Sequence, residues 1–274
     1  MIIKENMQPL KTATFIGSGN VATHLAQALF HKGIKIKQVC SRLMENATVL
    51  ATKVNAEPID HIDNLDETVD IIFCCTKDEL IGKISKRIAR KKKIKSIVHT
   101  SGTVGLEVFS DFENKFEAVG IFYPLQTFSK LNAVDFSEIP IGITTKNNFF
   151  EAELINLASK ITQRTFVIND EDRQHLHLSA VLVNNFVNHL FAIAQQYCKD
   201  HQLDFNLLKP LIHQTINKID VVPAIDAQTG PAKRKDFNII DKHLSMLDKD
   251  ILTKNIYQSL TESILKMYYK NIKL

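Results

Sequence analysis

The sequence lacks the features that mark several large classes of protein. Its 34 lysines and arginines nearly balance 30 aspartates and glutamates, so the net charge of +4 does not indicate a nucleic-acid partner. Its four cysteines form no C-x-x-C motif, and no metal site is predicted. No apolar run approaches the roughly 18 residues of a membrane span, and the first residues lack a signal peptide's apolar core. We therefore expect a cytoplasmic protein with buried free thiols and no membrane partner.

A basic cluster at residues 86–95 is the densest local charge. It falls between a helical pattern and a strand pattern. Cations are favourable at a helix C-terminus, so we interpret the cluster as a solvated helix end. Nucleic-acid binding is the alternative.

Residues 12–29 carry the most informative pattern. A short apolar run ends at Ile16, G-S-G-N-V-A follows at 17–22, and an apolar helical pattern begins at Val21. This order is typical of the G-x-G-x-x-A turn of a dinucleotide-binding domain, in which Gly17 permits the turn and Gly19 lets a pyrophosphate approach the backbone. An ordinary glycine-rich turn is the alternative. The predicted cofactor contacts here are Gly17, Ser18, Gly19, Asn20 and Val21.

Strand and helix patterns alternate in the first part of the chain and then give way to helices alone. Strands are predicted at 13–16, 36–40, 69–75, 96–100, 118–122, 139–144 and 165–168, with helices at 21–31, 45–54, 79–90 and 149–162. Helices alone follow at 172–201, 205–218, 241–247 and 252–269. The predicted fold class is α/β, a Rossmann-like mostly parallel sheet domain at 1–170 followed by an all-α domain at 171–274.

The end of the second strand indicates the choice of cofactor. NAD-specific domains usually place a carboxylate there to bind the ribose 2′-hydroxyl, whereas this strand ends in Ser41-Arg42. A guanidinium suits a 2′-phosphate, so we predict NADP(H) in preference to NAD(H), with Ser41 and Arg42 in contact. The alternative is a solvated loop arginine.

Two further strand ends carry small polar residues. The carboxyl ends of parallel strands open onto the ligand crevice. The predicted contacts with the nicotinamide end of the cofactor are Cys75, Thr76, Thr100, Ser101 and Gly102. His99 precedes this tip, and we leave open whether it contacts a ligand or lies in the core.

The long helix predicted at 172–201 carries polar residues in register. His177, Val181, Asn184 and Asn188 fall on one stripe at 100° per residue. We interpret the stripe as one wall of a polar cavity, the alternatives being an exposed face or a buried hydrogen-bonded network. Further along, Gly230-Pro231 suits a helix start, and the adjacent Lys233 and Arg234 suggest an anion site. A capped turn with solvated basic residues is the alternative.

Several motifs together resemble a known group. They are G-S-G-N-V-A at 17–22, V-D-I-I-F-C-C-T-K-D at 69–78, H-T-S-G at 99–102, Y-P-L-Q-T-F at 123–128, V-N-N-F at 183–186 and T-G-P-A-K-R at 229–234. The chain resembles bacterial two-domain proteins with a Rossmann-like N-terminal domain and a helical C-terminal domain of unknown function, often labelled putative NADP oxidoreductases. Its N-terminal half is also similar to pyrroline-5-carboxylate reductase and deazaflavin-dependent NADP reductases, and more distantly to hydroxyacid dehydrogenases.

The resemblance implies NADP(H) on the Gly17–Ala22 turn, a cleft between domains and a homodimer joined by helical domains. The catalytic lysine of the hydroxyacid dehydrogenases has no match, and His177 and Asn184 occupy that region, so we predict these two as catalytic. The predicted substrate contacts are Pro124, Asn185, Thr229 and Arg234.

The favoured function is hydride transfer with a small polar substrate that is a carboxylate or an imine. A non-catalytic NADP(H)-binding or redox-sensing protein is the alternative. Dimerisation is also expected because Leu260, Ile264, Leu265, Tyr268 and Tyr269 place much apolar surface on one late helix.

Overall fold

The computed structural model describes residues 9–91, 94–129 and 134–269. Residues 1–8, in which no signal peptide is predicted, and Lys92 and Lys93 of the basic cluster lie outside these ranges. The chain divides into two compact units, one ending at Asn185 and one beginning at Phe186.

The first unit is built on an eight-stranded sheet with the order β3-β2-β1-β4-β5-β6-β7-β8. Every neighbouring pair is parallel except β6 and β7. The strands are β1 Thr12–Ile16, β2 Lys35–Cys40, β3 Glu57–Ile59, β4 Ile71–Cys74, β5 Ser96–His99, β6 Ala118–Pro124, β7 Ile141–Thr144 and β8 Thr165–Val167. The predicted α/β class with a mostly parallel sheet is confirmed.

Helices cover this sheet and bury its apolar strands. They are α1 Asn20–His31, α2 Met44–Lys53, α3 Asp78–Lys91, α4 Asn148–Ser159 and α5 Asp170–Ala180. Phe15 of β1 stacks on Phe73 of β4 with ring centroids 4.9 Å apart, and Phe122 of β6 meets Phe73 edge-on. Since β1 lies between β2 and β4, the strand order reverses there, which is where open α/β sheets bind ligands.

The short strand β3 is absent from the sequence prediction. It has three residues, Glu57–Ile59, and its middle residue is Pro58. Proline cannot donate to a ladder and is confined to edge strands, and β3 is an edge of this sheet. Tertiary pairing with β2 makes this segment a strand, because neither alternation nor β-propensity marks it.

The second unit contains helices only among the residues that the structure describes. They are α6 Val187–Asp200, α7 Lys209–Ile219, α8 Ala224–Ala227, α9 Pro231–Arg234, α10 Phe237–Met246 and α11 Ile251–Tyr268. On α11, the expected excess of apolar surface is partly used within the unit. Leu265 is buried, and the hydroxyls of Tyr268 and Tyr269 donate to the carbonyls of Ile225 and Lys233.

Residues Asp170–Asp200 form one helix of 31 residues, as the sequence predicts for this region. By length and composition it is the one helix among those described that could cross a membrane. Its middle, Val181–Phe186, has π-helical hydrogen bonding. A π segment changes the residues per turn, so a stripe drawn at 100° per residue does not run straight through it. Such segments frequently occur at functional sites.

A buried arginine attaches the start of α5 to the sheet. The Arg173 guanidinium is fully buried and donates through Nη1 to Asp170 Oδ1 at 2.5 Å and to Thr144 Oγ1 at 3.2 Å. Its Nη2 donates to the carbonyl of Val104, and Asp170 Oδ2 accepts from the Leu106 amide at 2.9 Å. The last strand ends at Val167, close to the predicted domain boundary at 170. The compact unit runs further, to Asn185, and these bonds attach α5 to the sheet within it.

Replacing Arg173 by methionine should lower the free energy of unfolding by about 3–5 kcal/mol, the range for breaking a buried ion pair. The substitution leaves Asp170 without its cation and the Val104 carbonyl without its donor. Denaturant titration measures the loss. The matched control is Arg164→Met, which removes an exposed ion pair with Glu138 and should cost about 1 kcal/mol or less. Equal losses in the two variants would contradict the anchoring role of Arg173.

Candidate active site

Gly17 is required by the packing of β1 against β4. Its φ of +107° lies where side chains are strained. A Cβ on Gly17 would also lie 2.3 Å from the carbonyl oxygen of Cys75. Its amide donates to the Cys40 carbonyl at 2.8 Å, so the turn is closed onto the end of β2. Contacts within the protein itself therefore explain why residue 17 is a glycine.

Gly19 is different, because nothing in the described protein requires a glycine there. It has φ −74° and ψ −171°, and a Cβ would meet no atom within 4 Å. It is the N-cap of α1, whose first turn has no side-chain cap and no acidic residue. Open space beside free helical N–H groups fits the pyrophosphate of a dinucleotide.

Serine and asparagine side chains hold the loops around this turn. The Ser18 hydroxyl donates to the Ser41 hydroxyl at 3.1 Å, which connects the β1 turn to the end of β2. Asn20 donates through Nδ2 to the Phe128 carbonyl at 2.8 Å. These bonds shape the rim of the crevice from three separate segments.

Arg42, next after Ser41, has an exposed guanidinium. Within residues 9–91, 94–129 and 134–269 it makes no hydrogen bond and no ion pair. A guanidinium without a partner beside the dinucleotide turn is available to an anionic group. Ser41 and Arg42 therefore lie at the end of β2 beside the β1 turn, and their contact with a 2′-phosphate remains a prediction.

The ends of β4 and β5 complete this edge of the sheet. Cys75 and Thr76 follow β4 and are half-buried, and burial raises the pKa of the Cys75 thiol. The Ser101 hydroxyl accepts from the amides of Thr103 and Val104, at 3.1 and 3.0 Å. Thr100 is half-buried and Gly102 is buried at the same end.

His99 is a core residue and does not face the crevice. It is fully buried, its Nδ1 accepts from the Ser101 amide at 3.2 Å, and its ring lies 5.7 Å from that of Phe109. Burial lowers the pKa of His99 to about 4, and the nearby Arg173 charge adds to the effect. This imidazole is therefore neutral near physiological pH.

His177 lies directly against the end of β5. A Cβ on Gly102 would approach Nδ1 of His177 to 2.4 Å and the Tyr123 ring to 3.0 Å. Nδ1 is 2.9 Å from the hydroxyl of Tyr123, which lies on β6. A side chain at position 102 would therefore force the His177 ring to shift from its place beside the strand ends.

A cavity of about 540 Å³ lies beside this contact, entirely within the first unit. It brings together five predicted site residues, Asn20, Val21, His177, Asn184 and Asn185. The other residues that line it are Tyr123, Leu125, Gln126, Thr127, Phe128, Leu176, Ser179, Ala180, Val181 and Val183. The lining thus has amide and hydroxyl groups and one imidazole, without a carboxylate or a permanent cation.

Other predicted residues lie apart from this lining. Pro124 is buried at the end of β6 and does not line the cavity, although its neighbours Tyr123 and Leu125 do. Thr229 and Arg234 belong to the helical unit and are exposed. There α9 begins at Pro231 after Gly230, as predicted, but it has only four residues.

The basic residues around α9 are partly engaged by aromatic rings. The Lys233 ammonium lies 3.3 Å from the centroid of the Tyr268 ring, and that of Lys235 lies 3.8 Å from the Tyr269 ring. The Arg234 side chain makes no hydrogen bond or ion pair within the part of the chain that the structure describes, so its guanidinium remains available to an anion.

Sequence reasoning did not assign Tyr123 or Arg173. Tyr123 stands in the Y-P-L-Q-T-F motif, but its partner is 54 positions away, and no local pattern shows that contact. Arg173 precedes His177 by four positions, so the two residues lie on the same face of α5. That spacing is the sequence signal that could have linked Arg173 to the site. No group of three or more metal-ligating side chains occurs among the described residues.

Comparison with known proteins identifies both parts of the chain. Residues 12–102 match the family described as "NADP oxidoreductase coenzyme F420-dependent", and residues 139–264 match "Domain of unknown function (DUF2520)". A short stretch is 30% identical over 118 residues to a glutamyl-tRNA reductase of Methanococcus maripaludis, and it spans 31% of that protein's length.

Solved structures extend the likeness over the whole chain. A putative NADP oxidoreductase from Bacteroides fragilis is 37% identical, with a TM-score of 0.88 over 93% of this chain and 98% of that one. An imine reductase from Myxococcus stipitatus in complex with NADP+ has a TM-score of 0.63 at 13% identity, and the match covers 94% of this chain and 93% of that one. Plasmodium falciparum pyrroline carboxylate reductase with NADP bound has a TM-score of 0.60 at 13% identity, and the match covers 96% of this chain and 100% of that one. The last two show the fold alone, whereas the first shows the family.

The predicted resemblance is confirmed, and the chain belongs to the family of putative NADP oxidoreductases in which an F420-dependent-type NADP oxidoreductase domain precedes a DUF2520 domain.

Proposed function

We propose that this protein is an NADP(H)-dependent oxidoreductase that transfers a hydride to or from a small polar substrate. One observation carries the proposal. The uncapped helix start at Gly19, with open space where a Cβ would stand, lies at the same end of the sheet as the His177–Tyr123 contact and its cavity. A phosphate-binding turn and a titratable group beside one crevice are the two parts that such an enzyme needs.

The cofactor site that we propose follows the strand ends. The N-terminus of α1 would bind the pyrophosphate, and Arg42 with Ser41 would bind the 2′-phosphate. Cys75, Thr76 and the segment from Thr100 to Gly102 would line the nicotinamide end. NADPH, when bound, supplies the hydride. The chain's own residues then have to orient the substrate, exclude water and provide a proton.

His177 and Asn184 are the residues that we assign to those tasks. Both line the cavity, and histidine is the side chain that most readily exchanges a proton near neutral pH. The amide of Asn184 can orient a substrate by hydrogen bonds, and that of Asn185 lies beside it. The cavity lining carries no permanent charge, which favours an imine or carbonyl group there. A substrate carboxylate would need a cation, which this lining does not provide. Arg234 of the helical unit remains our candidate for binding an anionic group.

The free cysteines support the proposed cytoplasmic location. All four are unpaired, and Cys40, Cys74 and Cys198 are buried. Burial raises the pKa of Cys40 and Cys74 to about 11, so these thiols stay protonated and unreactive. Such thiols are typical of a reducing compartment.

Two variants test the cofactor site by fluorescence titration with NADPH and NADH. Gly19→Val should abolish binding of both, since the side chain fills the pyrophosphate space, while its extended backbone keeps the fold intact. Arg42→Ala should weaken the binding of NADPH by about 1.5–3 kcal/mol, the range for a charged hydrogen bond, and leave the affinity for NADH unchanged.

The control for the second variant is Arg90→Ala, which removes an exposed arginine on α3. Circular dichroism confirms that each variant is folded. A folded Gly19→Val protein that still binds NADPH would contradict the assigned turn. Equal affinities of the native protein for the two cofactors would contradict the role of Arg42.

His177→Gln tests the proton-transfer role of His177. Once a substrate is found by screening imines and carbonyl compounds with NADPH, this variant should lower kcat by about 10²–10⁴, the usual contribution of general acid–base catalysis. NADPH affinity should stay unchanged. His175→Gln, two positions away on the exposed side of α5, is the matched control. Full activity of the His177 variant would contradict the proton-transfer role of His177, whereas no turnover of any screened compound would favour the non-catalytic, sensing alternative.

We also propose that the helical unit joins two copies of the chain. Its exposed side chains include Leu207, Leu211, Val221 and Leu252, each more than three-fifths exposed. The helix at 170–200 adds Leu178, Leu182, Val183 and Phe186, each more than half exposed. So much apolar surface on one chain is typical of a protein interface.

Light scattering at micromolar concentration should give the mass of a dimer. Combining Leu211→Glu with Leu252→Glu should shift the population toward monomer, because each carboxylate would be desolvated in the interface. Val49→Glu, on the exposed face of α2, is the control and should leave the dimer intact. A native protein that is monomeric, or that requires detergent, would reject this proposal.

A further inference from the structure

The contact between Tyr123 and His177 is the most specific polar contact beside the cavity. Tyr123 is 6% exposed and lies on β6, while His177 lies on α5, and the hydroxyl is 2.9 Å from Nδ1. The two rings meet edge to face with centroids 6.0 Å apart. Strand β6 therefore holds the Tyr123 hydroxyl against Nδ1 of His177 on α5.

The surroundings decide which of the two groups donates. In the described part of the chain the Tyr123 hydroxyl has no second acceptor. Buried hydroxyls almost always donate to something, so a hydroxyl that only accepted from His177 would leave its own hydrogen unpaired. Burial also raises the pKa of Tyr123, which keeps the hydroxyl protonated at neutral pH. A protonated hydroxyl whose partner among the described residues is Nδ1 can donate to that nitrogen.

We infer that Tyr123 is a positioning residue whose hydroxyl holds His177 in its Nε2–H tautomer, so that Nε2 is the nitrogen that exchanges a proton with the substrate. The inference rests on the proton-transfer role proposed for His177. Nε2 has no hydrogen-bond partner among the described residues, and the ring lines the cavity. Gly102 supports the same orientation, because its missing side chain is what lets Nδ1 lie against β5 and β6.

A purely structural hydrogen bond makes a different prediction. The two rings would pack equally well with either tautomer of His177, so a purely structural contact would allow the two tautomers to interconvert. Positioning for chemistry requires one tautomer, because only the nitrogen on the cavity side can reach the substrate. The tautomer of His177 is therefore the quantity to measure.

Long-range 1H–15N NMR of 15N-histidine-labelled protein reads the tautomer directly and needs no substrate. The His177 signals are identified by their loss in His177→Gln. At alkaline pH, where imidazoles are neutral, we expect protonated Nε2 and unprotonated Nδ1 in the native protein. Tyr123→Phe, which keeps the ring, should give a mixture of tautomers.

Tyr257→Phe is the matched control for this experiment. Its hydroxyl lies 2.9 Å from Nδ1 of His243 in the helical unit, so the same kind of bond is removed outside the cavity. The His177 signals should not change. A native Nδ1–H tautomer, or a tautomer unchanged in Tyr123→Phe, would overturn the inference while leaving the proposed function standing.

Kinetics separate the inference from the proposed function. With a substrate in hand, Tyr123→Phe should lower kcat about 2- to 10-fold, the equivalent of one neutral hydrogen bond, at unchanged NADPH affinity. An undiminished kcat in that variant would overturn the positioning role. An undiminished kcat in His177→Gln would instead overturn the proton-transfer role proposed for His177, whatever tautomer NMR reports.

Discussion

The buried guanidinium of Arg173 is the constraint on which the geometry of the site depends. A charge without solvent contact is tolerated only when its surroundings provide acceptors, and here Asp170, Thr144 and Val104 provide them from three separate segments. These bonds determine how the first turn of α5 meets the sheet. His177 follows one turn later on the same face, so its contact with Gly102 and Tyr123 is a consequence of where Arg173 is held.

Three glycines along the same edge of the sheet show how a crevice is kept open. At Gly17 the carbonyl of Cys75 occupies the space that a side chain would need, and at Gly102 the His177 ring occupies that space. Gly19 faces nothing. The first two are explained by contacts within the protein, whereas no contact of this kind is found at Gly19 among the described residues. That contrast is what supports the pyrophosphate site that we propose at this turn.

Two histidines near the strand ends illustrate how surroundings divide similar residues into different roles. His99 is fully buried and its pKa is lowered to about 4, so it is a neutral member of the core. His177 is half-buried, with one nitrogen against Tyr123 and its ring on the cavity. Both lie near the end of β5, yet His99 is fully buried and only His177 has solvent access.

The sequence by itself determined the fold class, because alternating strand and helix patterns and the G-x-G-x-x-A turn depend on local periodicity and on backbone sterics. It also located the strand ends and the family. It did not show β3, since Glu57–Ile59 becomes a strand only by pairing with β2, nor the π segment at Val181–Phe186, which interrupts an otherwise regular helical pattern. Only the tertiary structure brought Tyr123 to His177 and tied Arg173 to Val104, because those partners are 54 and 69 positions apart. Contacts at such separations depend on how helices pack on the sheet, and no local pattern of residues encodes that distance.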